Sequence, residues 1–171
     1  MPARIAIAVI GFLILFVCFQ AGASAQSEAP QDSLILLEQS ETPYNSMFLY
    51  RRGDLIVMRF KRLGLDFNES AIYPENPLEL AFSHYKLMPV GLLYVDNPEK
   101  LLMIGVGGGT TSRYIHHHMP KLKIAAVELD PGVIAAAAKY FGTVEDSTYS
   151  LHANDGRIFL IRNSAQYDII V

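Results

Sequence analysis

Leu101-Leu102-Met103-Ile104-Gly105-Val106-Gly107-Gly108-Gly109-Thr110 is the stretch that decides the fold. An apolar run stops abruptly in a cluster of glycines, the pattern of a buried parallel strand entering a tight turn where backbone comes close to a ligand. About twenty residues later a second apolar run, Lys123-Ile124-Ala125-Ala126-Val127, ends on the carboxylate of Glu128. A glycine turn after one strand and an acid at the tip of the next form a nucleoside-binding arrangement.

Downstream of that turn, strand and helix alternate. The pattern predicts a strand over Leu101–Val106, a helix from Thr110 or Thr111 to Met119, and a strand over Lys123–Leu129. Asp130-Pro131 supplies a cap and a first-turn proline for a helix that runs to Tyr140 and stops at Gly142. A strand over Tyr149–Ala153, a helix over Arg157–Arg162 opened by Asp155-Gly156, and a strand over Tyr167–Val171 complete the series. Right-handed crossovers turn such a series into an open, doubly wound parallel α/β sheet. A buried parallel strand as the last element leaves a free edge, so the sheet is expected to be incomplete at its C-terminal side.

Upstream, Ser46–Tyr50 and Leu55–Phe60 flank an Arg52-Gly53-Asp54 turn, and Leu63–Asp66 is a second turn before a short segment at Ser70–Ile72. Together they read as a small antiparallel β unit. Pro77–Tyr94 has roughly helical apolar spacing, with a kink or break at Pro89. The N-terminus is of another kind. Arg4 precedes an apolar run from Ile5 to Phe19, followed by small residues at Ala23 and Ala25. This is the layout of a secretory signal peptide cleaved after Ala25. As a helix the run would span about 22 Å, short of the ~30 Å hydrocarbon core of a membrane, so an uncleaved anchor is the alternative. The expected organisation is a signal peptide over 1–25, a linker over 26–40, a small β domain over 41–76, a connecting helical segment over 77–99 and a Rossmann-like cofactor-binding domain over 100–171.

With 51% hydrophobic residues and a net charge of −3, the chain is globular and carries no basic excess for nucleic acid. The single cysteine, Cys18, falls in the leader, so neither a disulfide framework nor a thiol nucleophile is expected. His116-His117-His118 invites a metal reading, but adjacent helical residues point about 100° apart and do not converge on one ion. No metal site is expected.

Gly105, Gly107 and Gly109 stand where side chains would block a cofactor, and the amides at the following helix start can bind a negative group. Glu128 can accept ribose hydroxyls. Asp155, at the end of the third strand, can read an adenine edge or simply cap its helix. Thr110 replaces the final Gly or Ala of a dinucleotide fingerprint, and no phosphate-binding lysine follows the glycines. The set favours an S-adenosyl ligand.

The motifs Leu102–Thr110, Val127-Glu128-Leu129-Asp130-Pro131, Ala153-Asn154-Asp155-Gly156-Arg157 and Tyr167-Asp168-Ile169-Ile170-Val171 resemble the spermidine/spermine synthases, the polyamine aminopropyltransferases. The likeness covers about residues 41–171 and is looser upstream. It implies a fold of the S-adenosylmethionine-methyltransferase type and a family activity: decarboxylated S-adenosylmethionine as co-substrate, an aminopropyl group passed to a polyamine or other small amine, and no metal. By resemblance Gly105, Gly107 and Gly109 line the cofactor's chain and ribose, Glu128 holds the ribose, Asp155 and Gly156 contact adenine, and Asn45 and His84 stand at substrate positions. A homodimer is a further expectation. The departures are specific. Gly108 replaces the family's amine-binding Asp, Asn45 replaces a glutamine, and Ser83-His84-Tyr85 replaces a Tyr-His-Glu pattern. The family's catalytic Asp follows the fourth strand and has no counterpart here, so no catalytic residue is named and the chain is expected to be catalytically incomplete. Ordinary methyltransferases carry an acid two residues before the first glycine, where Met103 stands. A methyltransferase using intact S-adenosylmethionine and a non-catalytic exported binding module are the alternatives. The exported leader sits awkwardly with a cytoplasmic cofactor.

Overall fold

The computed structural model describes residues 33–62 and 65–171. The expected leader therefore lies outside the described residues. The first sheet contains β1 (Leu34–Glu41), β2 (Ser46–Arg52), β3 (Leu55–Arg62) and β4 (Leu65–Ile72), antiparallel in sequence order. The second contains β5 (Lys100–Ile104), β6 (Lys123–Glu128), β7 (Tyr149–Ala153) and β8 (Ile169–Ile170), parallel in the order β7-β6-β5-β8. Between them lie α1 (Ser83–Leu87) and a 3₁₀ turn over Met88–Tyr94, and the parallel strands are joined through α2 (Thr110–His118), α3 (Pro131–Phe141) and α4 (Gly156–Arg162). The strand order reverses at β5, because β6 and β7 lie on one side of it and β8 on the other. In open α/β sheets that reversal opens a crevice at the strands' carboxyl ends, and the glycine turn leaves β5 at that end.

Most of the parallel half follows the sequence reading. Asp130 caps α3, its Oδ1 accepting from the Gly132 amide at 2.9 Å, with Pro131 in the first turn. Gly142 closes the helix in the left-handed region at φ +65°. Leu101, Met103, Ile115, Ile124, Ala126 and Tyr149 share one buried cluster that joins α2 to β5, β6 and β7.

Three expectations are corrected. The linker placed over 26–40 gives way to β1, which pairs with β2 from Leu34↔Arg52 to Glu41↔Ser46. The apolar Leu34-Ile35-Leu36-Leu37 run that starts it was a strand signal. The turn placed over Leu63–Asp66 is shorter, because β4 begins at Leu65 and pairs with β3. Its polar residues have weak strand propensity, yet the Arg59 Nε–H donates to Asn68 Oδ1 at 2.7 Å and ties them across the ladder. The helix placed over Pro77–Tyr94 starts later, at Ser83, and is divided next to Pro89 as the sequence implied, continuing as the 3₁₀ turn with Pro89 in its first turn. Proline removes an amide donor from the α-helical ladder, while Met88 before it keeps helical backbone (φ −59°, ψ −42°). The segment at Pro77 is a turn instead, where the Asn76 side chain donates to Glu79 at 2.9 Å.

The antiparallel sheet packs against α3. Met47, Leu49, Ile56, Met58 and Ile72 share a buried cluster with Val133, Ala136 and Phe141. Of the Ala135–Ala138 run, Ala136 and Ala137 are buried and the outer two are exposed. The Lys139 ammonium and the Tyr140 hydroxyl both donate to Glu38 on β1, at 2.5 and 2.7 Å. This packing brings Phe141 over the glycine turn. A Cβ added at Gly108 would lie 2.6 Å from the Phe141 ring, whereas one added at Gly91 in the 3₁₀ turn would meet nothing within 4 Å. Overpacking of this kind costs about 1–3 kcal/mol, while an exposed site free of such contacts stays within about 0.5 kcal/mol. Gly108→Ala is therefore expected to lower the denaturant midpoint clearly and Gly91→Ala to leave it nearly unchanged. Equal midpoints would contradict the packing described.

Candidate functional site

The glycine turn adopts left-handed backbone at Gly105, Gly107 and Gly109, with φ of +90°, +54° and +71°. Its neighbours close in from two directions. A Cβ at Gly107 would lie 2.7 Å from Ser70 Oγ and 3.1 Å from Glu69 Oε1, both on β4, and one at Gly109 would lie 2.4 Å from the Thr143 side chain. Close approach is thus real at Gly107, Gly108 and Gly109, and in each case the approaching group is a side chain of the protein itself, whereas a Cβ at Gly105 would meet nothing within 4 Å.

The five turn amides are all occupied. Gly105 N donates to Val127 O at 2.8 Å, and Gly109 N to Val106 O at 2.8 Å. Val106 N and Gly107 N share Glu128 Oε2 at 2.9 and 3.2 Å, and Gly108 N donates to Ser70 Oγ at 2.7 Å. These five amides precede the start of α2 at Thr110, whose first-turn amides are the ones expected to meet a negative group. Glu128 Oε1 also accepts from Asp130 N at 3.2 Å. A carboxylate has about four acceptor sites, so Glu128 keeps some capacity while bracing the turn.

A cleft of about 260 Å³ opens beside the turn, lined by Gly105, Val106 and Gly107, by Met103 and Ile104 of β5, by Glu69 and Ser70 of β4, by His84, Tyr85 and Met88, and by Thr110 and Thr111. Of the residues singled out from sequence, Gly105, Gly107 and His84 line it. Gly109 is covered by Thr143 and starts α2. Glu128 stands beside the cleft with its carboxylate turned onto the glycine amides. Gly156 packs against Ile104, its Cβ position 2.5 Å from Ile104 Cγ2. Asn45 is not in the lining. Its Nδ2 donates at 3.4 Å to Oδ2 of Asp130, the residue whose backbone amide donates to Glu128.

Asp155 caps α4. Its Oδ1 accepts from the amides of Arg157 and Ile158 at 2.8 and 3.3 Å, and its Oδ2 from the Arg157 guanidinium at 3.0 Å. The Arg157 side chain, and then these amides, hold the Asp155 carboxyl at about 2. The helix-cap reading of this residue is realised in the structure. The histidine run separates as its spacing implied: His116 Nε2 meets Asp146 at 2.8 Å, while the His118 ring lies against Tyr114.

Glu69, Ser70 and Tyr85 were not named as site residues from the sequence. Tyr85 reads there as a core-edge aromatic, and it is buried. Its hydroxyl accepts from Ala71 N at 3.1 Å and reaches Glu69 O at 3.4 Å, which pins β4 to α1 at the cleft wall. Burial pushes the Tyr85 hydroxyl up. Burial, and then the charge of Glu128, push the Glu69 carboxyl up, against a smaller opposite pull from His84. Nothing in the local sequence marks Glu69 or Ser70 as cleft residues.

The profile of the spermine/spermidine synthase domain family matches residues 80–171. The chain belongs to that family. Among its relatives, the polyamine aminopropyltransferase of Chromobacterium violaceum is 33% identical over 92 residues, covering 54% of this chain and 35% of that protein. The eEF1A lysine and N-terminal methyltransferase of Bos taurus is 36% identical over 104 residues, covering 54% of this chain and 15% of the relative. The chain thus spans well under two thirds of the length of these relatives. The structure of a probable spermidine synthase from Corynebacterium glutamicum superposes with a TM-score of 0.65 at 20% identity, over 78% of this chain and 50% of that one. The likeness confirms the α/β fold with its preceding antiparallel sheet.

Two measurements check this geometry. In Glu128→Ala, hydrogen exchange at the Val106 and Gly107 amides should accelerate while the Gly105 amide, held by Val127, changes little. Unchanged exchange at all of them would mean that Glu128 does not brace the turn. Asp155 is depressed in the folded chain, so its stabilising contribution is complete above the ordinary Asp range near 3.9 and is lost as the pH falls through about 2. A carboxyl NMR titration should give a midpoint near 2, rising in Arg157→Ala. A midpoint unmoved by that substitution would contradict the assigned cause.

Proposed function

We propose that the cleft beside Gly105–Gly107 binds an S-adenosyl nucleoside, and that the chain is the cofactor-binding part of a spermidine synthase-like aminopropyltransferase using decarboxylated S-adenosylmethionine. The observation that carries this reading is the state of the glycine turn. Its five amides are all taken by protein acceptors, two of them by a carboxylate. A turn in that state suits a nucleoside without phosphates, and an acidic surround suits a cation. Dinucleotides and nucleoside triphosphates need the opposite, namely free amides and positive charge.

In this reading Gly105 and Gly107 give the ligand access to the backbone, and Glu128 uses its remaining acceptor capacity on the ribose hydroxyls. Asp155 and Gly156 flank the adenine. Asp155 is already committed to its helix, so the edge contact falls to nearby backbone. His84 faces the cleft and is the stronger substrate-side candidate, while Asn45 acts through Asp130. The chemistry is displacement at a carbon attached to a sulfonium. The attacking amine nitrogen forms the new C–N bond, the C–S bond breaks, and the thioether leaves with the electron pair. The amine must lose a proton, and no metal is required. An exported location is proposed on the leader alone.

A second reading has its own support. Gly108 stands where aminopropyltransferases place an amine-binding Asp, and the Phe141 ring leaves no room for one. Transfer of a methyl group from intact S-adenosylmethionine needs no such acid, and one of the relatives is a methyltransferase. Isothermal titration of the full chain with methylthioadenosine, S-adenosylmethionine and its decarboxylated form separates these readings. Tighter binding of the decarboxylated ligand is expected, with Glu128→Ala weakening all three. A preference for intact S-adenosylmethionine would favour the methyltransferase reading, and no binding to the folded protein would reject both.

A further inference from the structure

The cleft has an acid that neither the glycine motif nor the family pattern assigns. Glu69 sits on β4, in the cleft lining opposite β5. Its Oε1 is 3.1 Å from the point where a Gly107 Cβ would be, so the carboxylate rests on the open face of the turn. On the turn's other side Glu128 grips the Val106 and Gly107 amides. Two carboxylates therefore flank Gly107, but they are not equivalent. Glu128 already accepts from three backbone donors. Glu69 has no hydrogen bond or ion pair to its carboxylate among the described residues, and the residue is exposed to the cleft. A carboxylate without a protein partner, beside a second acid and open to a cleft walled by Met88, Met103 and Ile104, is placed to meet a bound cation.

We propose that Glu69 is the charge-selecting residue of this site: it receives the positive charge of the ligand's aliphatic chain, sulfonium or protonated amine, in place of the carboxylate that Gly108 cannot carry. The inference rests on the adenosyl reading above and adds to it the origin of cation selectivity. The Ser70 hydroxyl bound to Gly108 N, and the Tyr85 hydroxyl bound to Ala71 N, fix the backbone on the C-terminal side of Glu69. Glu69 itself is the extra residue of a bulge between Ser70 and Asn68, which pair with Met58 and Arg59, and its carboxylate holds none of the turn amides, so substitution of its head group need not disturb the turn.

The test compares ligands that share the thioadenosine and differ in the aminopropyl chain and in charge. Methylthioadenosine has the nucleoside and a neutral thioether, decarboxylated S-adenosylhomocysteine adds the amine, and decarboxylated S-adenosylmethionine has both amine and sulfonium. In the full chain, Glu69→Gln should weaken decarboxylated S-adenosylmethionine by about tenfold or more, the scale of one charge-assisted contact, and leave methylthioadenosine unchanged. Glu69→Asp, which keeps the charge, should recover part of the loss. A parallel loss for decarboxylated S-adenosylhomocysteine places the amine at Glu69, and no loss for it places the sulfonium there. Equal effects on charged and neutral ligands, or none on either, would overturn the proposal while leaving adenosyl binding intact. Failure of the wild-type chain to bind methylthioadenosine would instead remove the reading beneath it. Unchanged thermal melting of Glu69→Gln separates lost affinity from lost structure.

Discussion

Everything around the cleft depends on how closely other parts of the chain approach the glycine turn. β4 reaches it through Ser70, and the end of α3 reaches it through Phe141 and Thr143. These contacts join the antiparallel sheet to the parallel one at the point where the strand order reverses. They also change what the glycines are for. Gly107 leaves room for Glu69 and Ser70, whereas Gly108 and Gly109 leave room for aromatic and threonine side chains from the protein's own interior. A glycine-rich turn is usually taken as space for a ligand, and here three of its four glycines, Gly107, Gly108 and Gly109, are met by the protein's own side chains.

Filling the turn settles its electrostatics. Backbone amides at a helix start normally present partial positive charge. The five turn amides precede that start and are taken by Glu128, Ser70, Val106 and Val127, so the turn itself adds little positive field to the cleft, where Glu69 is the acid in the lining. The hydrogen bonding of the turn, more than any single residue, is what supports the proposed choice of a cationic nucleoside over a phosphorylated one.

The parallel half was legible in the sequence because its signals are local. Asp130-Pro131 and Gly142 define a helix by capping alone, and the Leu101–Ile104 run needs only to be buried on both faces. Glu128 was legible through its spacing from the turn, though not its orientation. What the sequence left hidden depends on partners far along the chain. Asn68-Glu69-Ser70 has poor strand propensity and becomes a strand only because β3 is beside it, so Glu69 carried no mark as a cleft residue. Tyr85 shows as one more aromatic until its hydroxyl meets the β4 backbone. The crowding at Gly108 was invisible for the same reason: Phe141 is thirty-odd residues away and comes over the turn only when α3 packs on the antiparallel sheet.

That crowding has a consequence for the turn's composition. The Phe141 ring lies where any side chain at position 108 would begin. Residue 108 is thus restricted by a helix end that is itself held by the antiparallel sheet. The packing of the N-terminal sheet on α3 therefore sets, at a distance along the chain, which residues the glycine turn can hold.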